Sequence, residues 1–137
     1  MQTFLPYPDF TQTAKALDYR RLGKQRVETK QLILALTQPK YGWKNHPAAK
    51  MWAGYVPLLA EYGRVMCEEW RSRGYNDSLL PFFCGFDEVR VAQDVPAWLG
   101  LDSFHASHRS NLLRKDFDFY SRFGWSEAPD LPYVWPV

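Results

Sequence analysis

The 137-residue chain has only two cysteines and no CxxC pair. Cys67 and Cys84 both sit among apolar neighbours, in "RVMCEEW" and "PFFCGF". That setting reads as two buried thiols rather than a disulfide. Without CxxC spacing the usual cysteine zinc patterns are excluded. No run of about 18 apolar residues occurs, so no helical membrane span is expected. The opening "MQTFLPYPDF" has no basic segment followed by an apolar one, which reads as structured chain rather than a secretion signal, and the expected location is the cytoplasm. Internal repeats and low-complexity tracts are also missing. What is present is 46% hydrophobic and 17% aromatic residues, too rich for a disordered chain. The length fits one compact domain spanning residues 1–137.

The net charge of only +2 hides an uneven distribution. Residues 9–30 carry six cations against three acids, a net +3, and residues 105–122 carry a net +2. Residues 61–102 between them carry a net −4. Two basic segments around an acidic middle can present one positive face to an anionic partner such as nucleic acid.

Periodicity and punctuation predict an all-α fold of about three main helices with an aromatic, Pro-rich C-terminal tail. The first helix is expected from Asp9 or Thr11 to about Thr37, with Pro39 as its stop and Gly23 marking a kink or a close approach. The second is expected from Pro47 to Gly74, its apolar residues at helical spacing, kinked or split at Pro57. The third is expected from about Ser103 to Arg122. "VRVAQ" has the alternation of a short strand but no partner strand. Trp52, Trp70, Trp98 and Trp125 are read as core.

The first helix contains "ALDYRRLGKQRVETKQ". At about 100° per residue, Arg20, Arg21, Lys24, Glu28 and Gln31 share one stripe about 100° wide. Apolar positions flank it on both sides: Leu22 and Ile33 on one, Ala16, Val27 and Leu34 on the other. A solvated face normally lies opposite a single apolar arc. A polar stripe between two apolar edges fits a cleft floor, although a surface ladder of i,i+4 ion pairs has the same spacing. The grouping suits phosphate binding, a nucleophilic amine, or both.

Two further segments interleave polar and aromatic groups. "YGWKNHP" offers Trp43, Asn45 and His46 in a loop, a combination suited to stacking on an unpaired base, or else to a helix-opening loop with core rings. "SFHASHRSNLLRK" places His105, His108, Arg109, Asn111, Arg114 and Lys115 on the third helix, where they can contact phosphates or bases; capping serines with a solvated basic face, or a buried asparagine network, are the alternatives. His105 and His108 are i,i+3, but no further ligand spacing supports zinc, and neither a metal nor a cofactor is expected.

With "LDYRRLGKQRVE", "YGWKNHPAAKMW", "EYGRVMCEEWRSRGY" and "SHRSNLLRKDFDFY" followed by an aromatic tail, the chain resembles the pyrimidine-dimer DNA glycosylase / endonuclease V family, especially its short bacterial relatives. The resemblance implies an all-α fold of three main helices. It implies an enzyme that flips a nucleotide from duplex DNA and cleaves a glycosidic bond, using an N-terminal α-amine with a glutamate and arginines on the first helix. Arg20 matches the arginine before the family glutamate, and Lys24 a basic position one turn later. The resemblance makes the amine that of Met1, which Gln2 is too large to let be trimmed, with Lys24 as the alternative nucleophile. The family glutamate's position holds Arg21, a cation that cannot do a carboxylate's work. Asp18 and Glu28 are the nearest replacements, and Glu28 shares the stripe. The expected function is therefore a monomeric DNA glycosylase, with or without abasic-site lyase activity, acting on a damaged or modified base in double-stranded DNA. Its catalytic residues are Glu28, Lys24, Arg21, Arg20 and Met1. The competing expectations are a non-catalytic nucleic-acid binder of the same fold, and a binder or enzyme for a small anionic ligand.

Overall fold

The computed structural model describes residues 1–86 and 95–137. All regular elements among them are helical. The "VRVAQ" segment lies outside the described residues. No described helix is long and apolar enough to cross a membrane.

The first predicted helix is two: α1 (Phe10–Ala16) and α2 (Tyr19–Thr37). The break falls at Leu17 and Asp18, both in extended conformation. Tertiary partners hold it open. The Arg73 guanidinium donates to the Ala14 and Lys15 carbonyls at the end of α1, and the Asp18 N–H donates to the Tyr120 hydroxyl at 3.1 Å. Gly23 lies within α2, where a Cβ would stand 3.0 Å from the Trp70 ring, so the close approach expected there is an indole.

The second predicted helix divides into α3 (Pro47–Lys50) and α4 (Val56–Ser72). Pro47 and Pro57 each occupy a helix's first turn, where a missing N–H is harmless. Gly54 (φ +86°) lies in the turn between them, and Gly74 (φ +92°) follows α4 as an αL stop. After α5 (Leu80–Cys84), the third predicted helix becomes α6 (Asp102–Lys115) and the single turn α7 (Phe117–Tyr120), with a 3-10 turn at Ser121–Phe123. Asp116 interrupts it with φ −154°, and its side chain accepts the Phe119 N–H.

The core joins Leu22, Leu32 and Ile33 of α2 to Leu59, Tyr62 and Met66 of α4, all fully buried. Trp52 is also fully buried and meets Trp98 edge-on, ring centres 5.0 Å apart. Trp70 and Trp125 are only half-buried, stacked on Tyr75 and Tyr120 respectively. Both cysteines are free thiols. Cys67 is buried as expected, but Cys84 is exposed, because on short α5 the inward position is taken by Phe83.

Residues 2–5 are buried along the body of the protein. Gln25 on α2 holds them: its Oε1 accepts from the Phe4 N–H (2.9 Å) and the Tyr62 hydroxyl (2.6 Å), and its Nε2 donates to the Gln2 carbonyl (2.8 Å). Trp52 Nε1 adds a bond to Thr3 Oγ1. Buried amides left without partners cost about 1–3 kcal/mol each, so this set pins the start of the chain to α2.

Candidate functional site

An open cleft of about 1020 Å³ lies between α2, the first residues of the chain, the α6–α7 corner and the C-terminal tail. Its floor is the α2 stripe: Arg20, Arg21, Lys24 and Glu28 all line it. One flank of the stripe, Leu22 and Ile33, is buried as expected, whereas Val27 on the other side is 46% exposed. Met1, Gln2 and Phe4 form one wall. Lys115, Asp116 and Phe119 form another, and Tyr19 and Tyr133 add aromatic surface.

Among the described residues Glu28 makes no ion pair, so it is not a rung of a ladder with Lys24. Its Oε2 accepts the Gln2 N–H at 3.2 Å, one residue from the chain's first amine. His46 reports the same neighbourhood. Its pKa is lowered by burial and then by the N-terminal amine, and Glu28 pulls it the other way. His46 Nδ1 caps α3 by accepting the Ala48 N–H at 3.0 Å, leaving Nε2 to carry the proton of the neutral ring.

Arg21 pairs with Asp18 at 3.2 Å. Asp18 is only 6% exposed and also accepts a short hydrogen bond from the Tyr120 hydroxyl. The Arg21 cation is thus tethered to a carboxylate three residues earlier. Arg20 donates to the Tyr19 hydroxyl at 3.1 Å. Lys24 has no hydrogen-bond or ion-pair partner among the described residues. Burial pushes the Tyr133 phenol up to about 12, opposed by Arg114 and Arg21.

The "YGWKNHP" loop adjoins this region through His46. Trp43 is 52% exposed rather than a core ring, and its φ of +72° is an unusual conformation for a bulky residue. It meets His46 edge-on at 5.6 Å, and Trp135 meets the same imidazole at 5.9 Å. Asn45 is exposed beside them.

The polar face of α6 is placed differently. His105, His108 and Asn111 are at most 2% exposed, and none of the three reaches the surface. The two histidines share one residue: His105 Nδ1 pairs with the Leu5 carbonyl (2.8 Å) and His108 Nδ1 accepts the Leu5 N–H (3.0 Å). Since His105 Nε2 accepts from the Gly100 N–H, its Nδ1 carries the proton. Asn111 donates to the Ser107 and Leu131 carbonyls. Arg109 pairs with Glu127 at 2.7 Å and donates to the Pro6 carbonyl. These are clamps on the two ends of the chain, which the DNA-side expectation did not foresee. Arg114 and Lys115 at the end of α6 are exposed, and Lys115 lines the cleft.

Sequence reasoning missed Gln25, Tyr19, Phe119, Asp116 and Tyr133. For Gln25 the signal was available, since it lies on the wheel between the polar stripe and the buried flank. The others join the site only through tertiary contact.

The model of one protein family, described as pyrimidine dimer DNA glycosylase, matches residues 1–80. That span holds the N-terminal segment, the α2 stripe and the Trp43 loop; Lys115, Phe119 and Tyr133 lie beyond it. No curated protein and no solved structure matches the chain.

Proposed function

The chain belongs to the pyrimidine dimer DNA glycosylase family, and from this premise we propose that it is a DNA-repair glycosylase acting on a damaged or modified base in duplex DNA, with an associated abasic-site lyase step. In this reading residues 1–137 form one domain that works as a monomer. The observation that carries it is the Glu28 carboxylate accepting the Gln2 N–H at 3.2 Å inside a cleft floored by Arg20, Arg21 and Lys24.

The Met1 amine attacks C1′ of the flipped nucleotide. The glycosidic bond breaks and its electron pair leaves with the base, which takes up a proton. Glu28 offsets the positive charge developing at C1′ and receives the proton the attacking nitrogen loses. Opening of the C1′–O4′ bond then gives an imine, from which loss of a C2′ proton expels the 3′ phosphate. Arg20, Arg21 and Lys24 bind the flanking phosphates. Trp43, exposed and backed by His46, supplies a ring on which an unstacked base can lie, with Asn45 beside it.

Borohydride trapping tests the reading. Duplexes carrying an abasic site or a damaged base should yield a covalent protein–DNA adduct mapping to the cleft amines. Absence of both adduct and base release on every damaged duplex would remove the catalytic reading. The Arg21–Asp18 pair favours a second reading, a non-catalytic DNA binder, because the resemblance implies a glutamate where Arg21 stands. That protein would bind DNA with a steep salt dependence and release no base.

A further inference from the structure

Lys115 is the last residue of α6 and lines the cleft, outside the residues 1–80 that match the family. Its amine has no hydrogen bond or ion pair among the described residues. Arg21, Lys24 and Glu28 of α2 line the same cleft, and Arg114 precedes Lys115 on its own helix. Two of those cations have partners already, Arg21 in Asp18 and Arg114 in the Asn111 side chain. The nearby carboxylates are engaged too: Glu28 accepts from Gln2, and the Asp116 side chain accepts the Phe119 N–H at 3.2 Å. Burial first, and then Arg21, Arg114 and Lys24, hold the Lys115 ammonium below the usual lysine range, with Glu28 opposing. Neighbouring cations in the cleft disfavour the charged form of a lysine and so favour its neutral, nucleophilic amine.

We propose that the Lys115 amine is a second nucleophile of this cleft, forming an imine with the aldehyde of a phosphate-bearing ligand. For DNA, and there resting on the glycosylase reading above, that aldehyde is the ring-opened C1′ of an abasic nucleotide. The neutral amine adds to the carbonyl carbon. Both amine protons leave with the carbonyl oxygen as water, and a C=N bond remains. The arginines and Lys24 hold the ligand's phosphate while the step proceeds.

Pyridoxal 5′-phosphate carries both an aldehyde and a phosphate and serves as the probe. The full chain is treated at pH 7, reduced with borohydride, digested and mapped by mass spectrometry. Lys115 should label at least about fivefold faster than Lys40 and Lys50, which do not line the cleft, and the advantage should shrink as the pH approaches 10. Inorganic phosphate should slow Lys115 alone. Lys115→Arg should remove that site with thermal unfolding unchanged. Labelling of Lys115 no faster than Lys40 and Lys50 overturns the proposal. A parallel trapping on abasic duplex separates the two readings. No trapped DNA, together with fast Lys115 labelling, removes the lyase step and leaves the nucleophile supported.

Discussion

On α2, Arg20, Arg21, Lys24 and Glu28 open into a cleft; on α6, His105, Ser107, His108, Ser110 and Asn111 turn inward and are buried. Both helices carry a group of polar residues on one side, and what differs is the type of group. The α2 residues are long and charged, and burying an unpaired charge is prohibitive, so the structure leaves them a wet cavity. The α6 residues are short or neutral and find backbone partners in the chain ends: Ser110 bonds to Ala128 and Leu131, and Ser107 receives the Val134 N–H. A polar helix face therefore marks either a site or an internal splint, and the charge of its members distinguishes the two.

Glu28→Gln sharpens the contrast most. The amide still accepts the Gln2 N–H but loses its charge. Base release on a damaged duplex should fall by about 100-fold or more, with the urea midpoint nearly unchanged. A large stability loss with intact activity would place Glu28 among the splints. On α6 the expectation reverses. Asn111→Ala removes the bonds from a fully buried amide to the Ser107 and Leu131 carbonyls and should lower unfolding free energy by about 2–3 kcal/mol, measured by urea denaturation, while the salt dependence of DNA binding stays as it was.

Acid should find the same splint. Burial pushes the His108 pKa down from 6.5 to about 3, and burial lowers His105 as well. With the folded value below the unfolded one, the unfolded chain takes the proton first. The His108 contribution is level above pH 6.5, falls as pH drops below it, and levels again near 3. His108 alone should remove about 2 kcal/mol between pH 7 and 5, and His108→Gln should flatten that slope in urea titrations run at the two pH values. The smallest effect belongs to the cleft. Lys24→Ala should reduce the slope of log binding constant against log salt by about one for duplex DNA, without moving the unfolding transition.

The helical class, the α2 stripe and the role of Pro57 were legible because they follow from local period and backbone chemistry. The division of the first and third predicted helices was not. Asp18 and Asp116 are ordinary within a helical pattern until Tyr120 and the Phe119 N–H engage them. Likewise, nothing in "SFHASHRSNLLRK" indicates that both histidines end on Leu5, a hundred residues away. "YGWKNHP" left the Trp43 ring open between core and surface, and only its exposure in the folded chain decides for the surface.

Residue order dictates which groups share a face, because a helix's 3.6-residue period is a local property. It places four charges of "YRRLGKQRVE" on one side of α2. Folding alone brought the Gln2 N–H onto Glu28 and Lys115 into the same cleft as Arg21, since those meetings depend on how Gln25 pins the N-terminal segment and on where α6 ends. Contacts between residues so distant in sequence are chosen by burial and by hydrogen-bond satisfaction across the whole protein, and no local pattern encodes them.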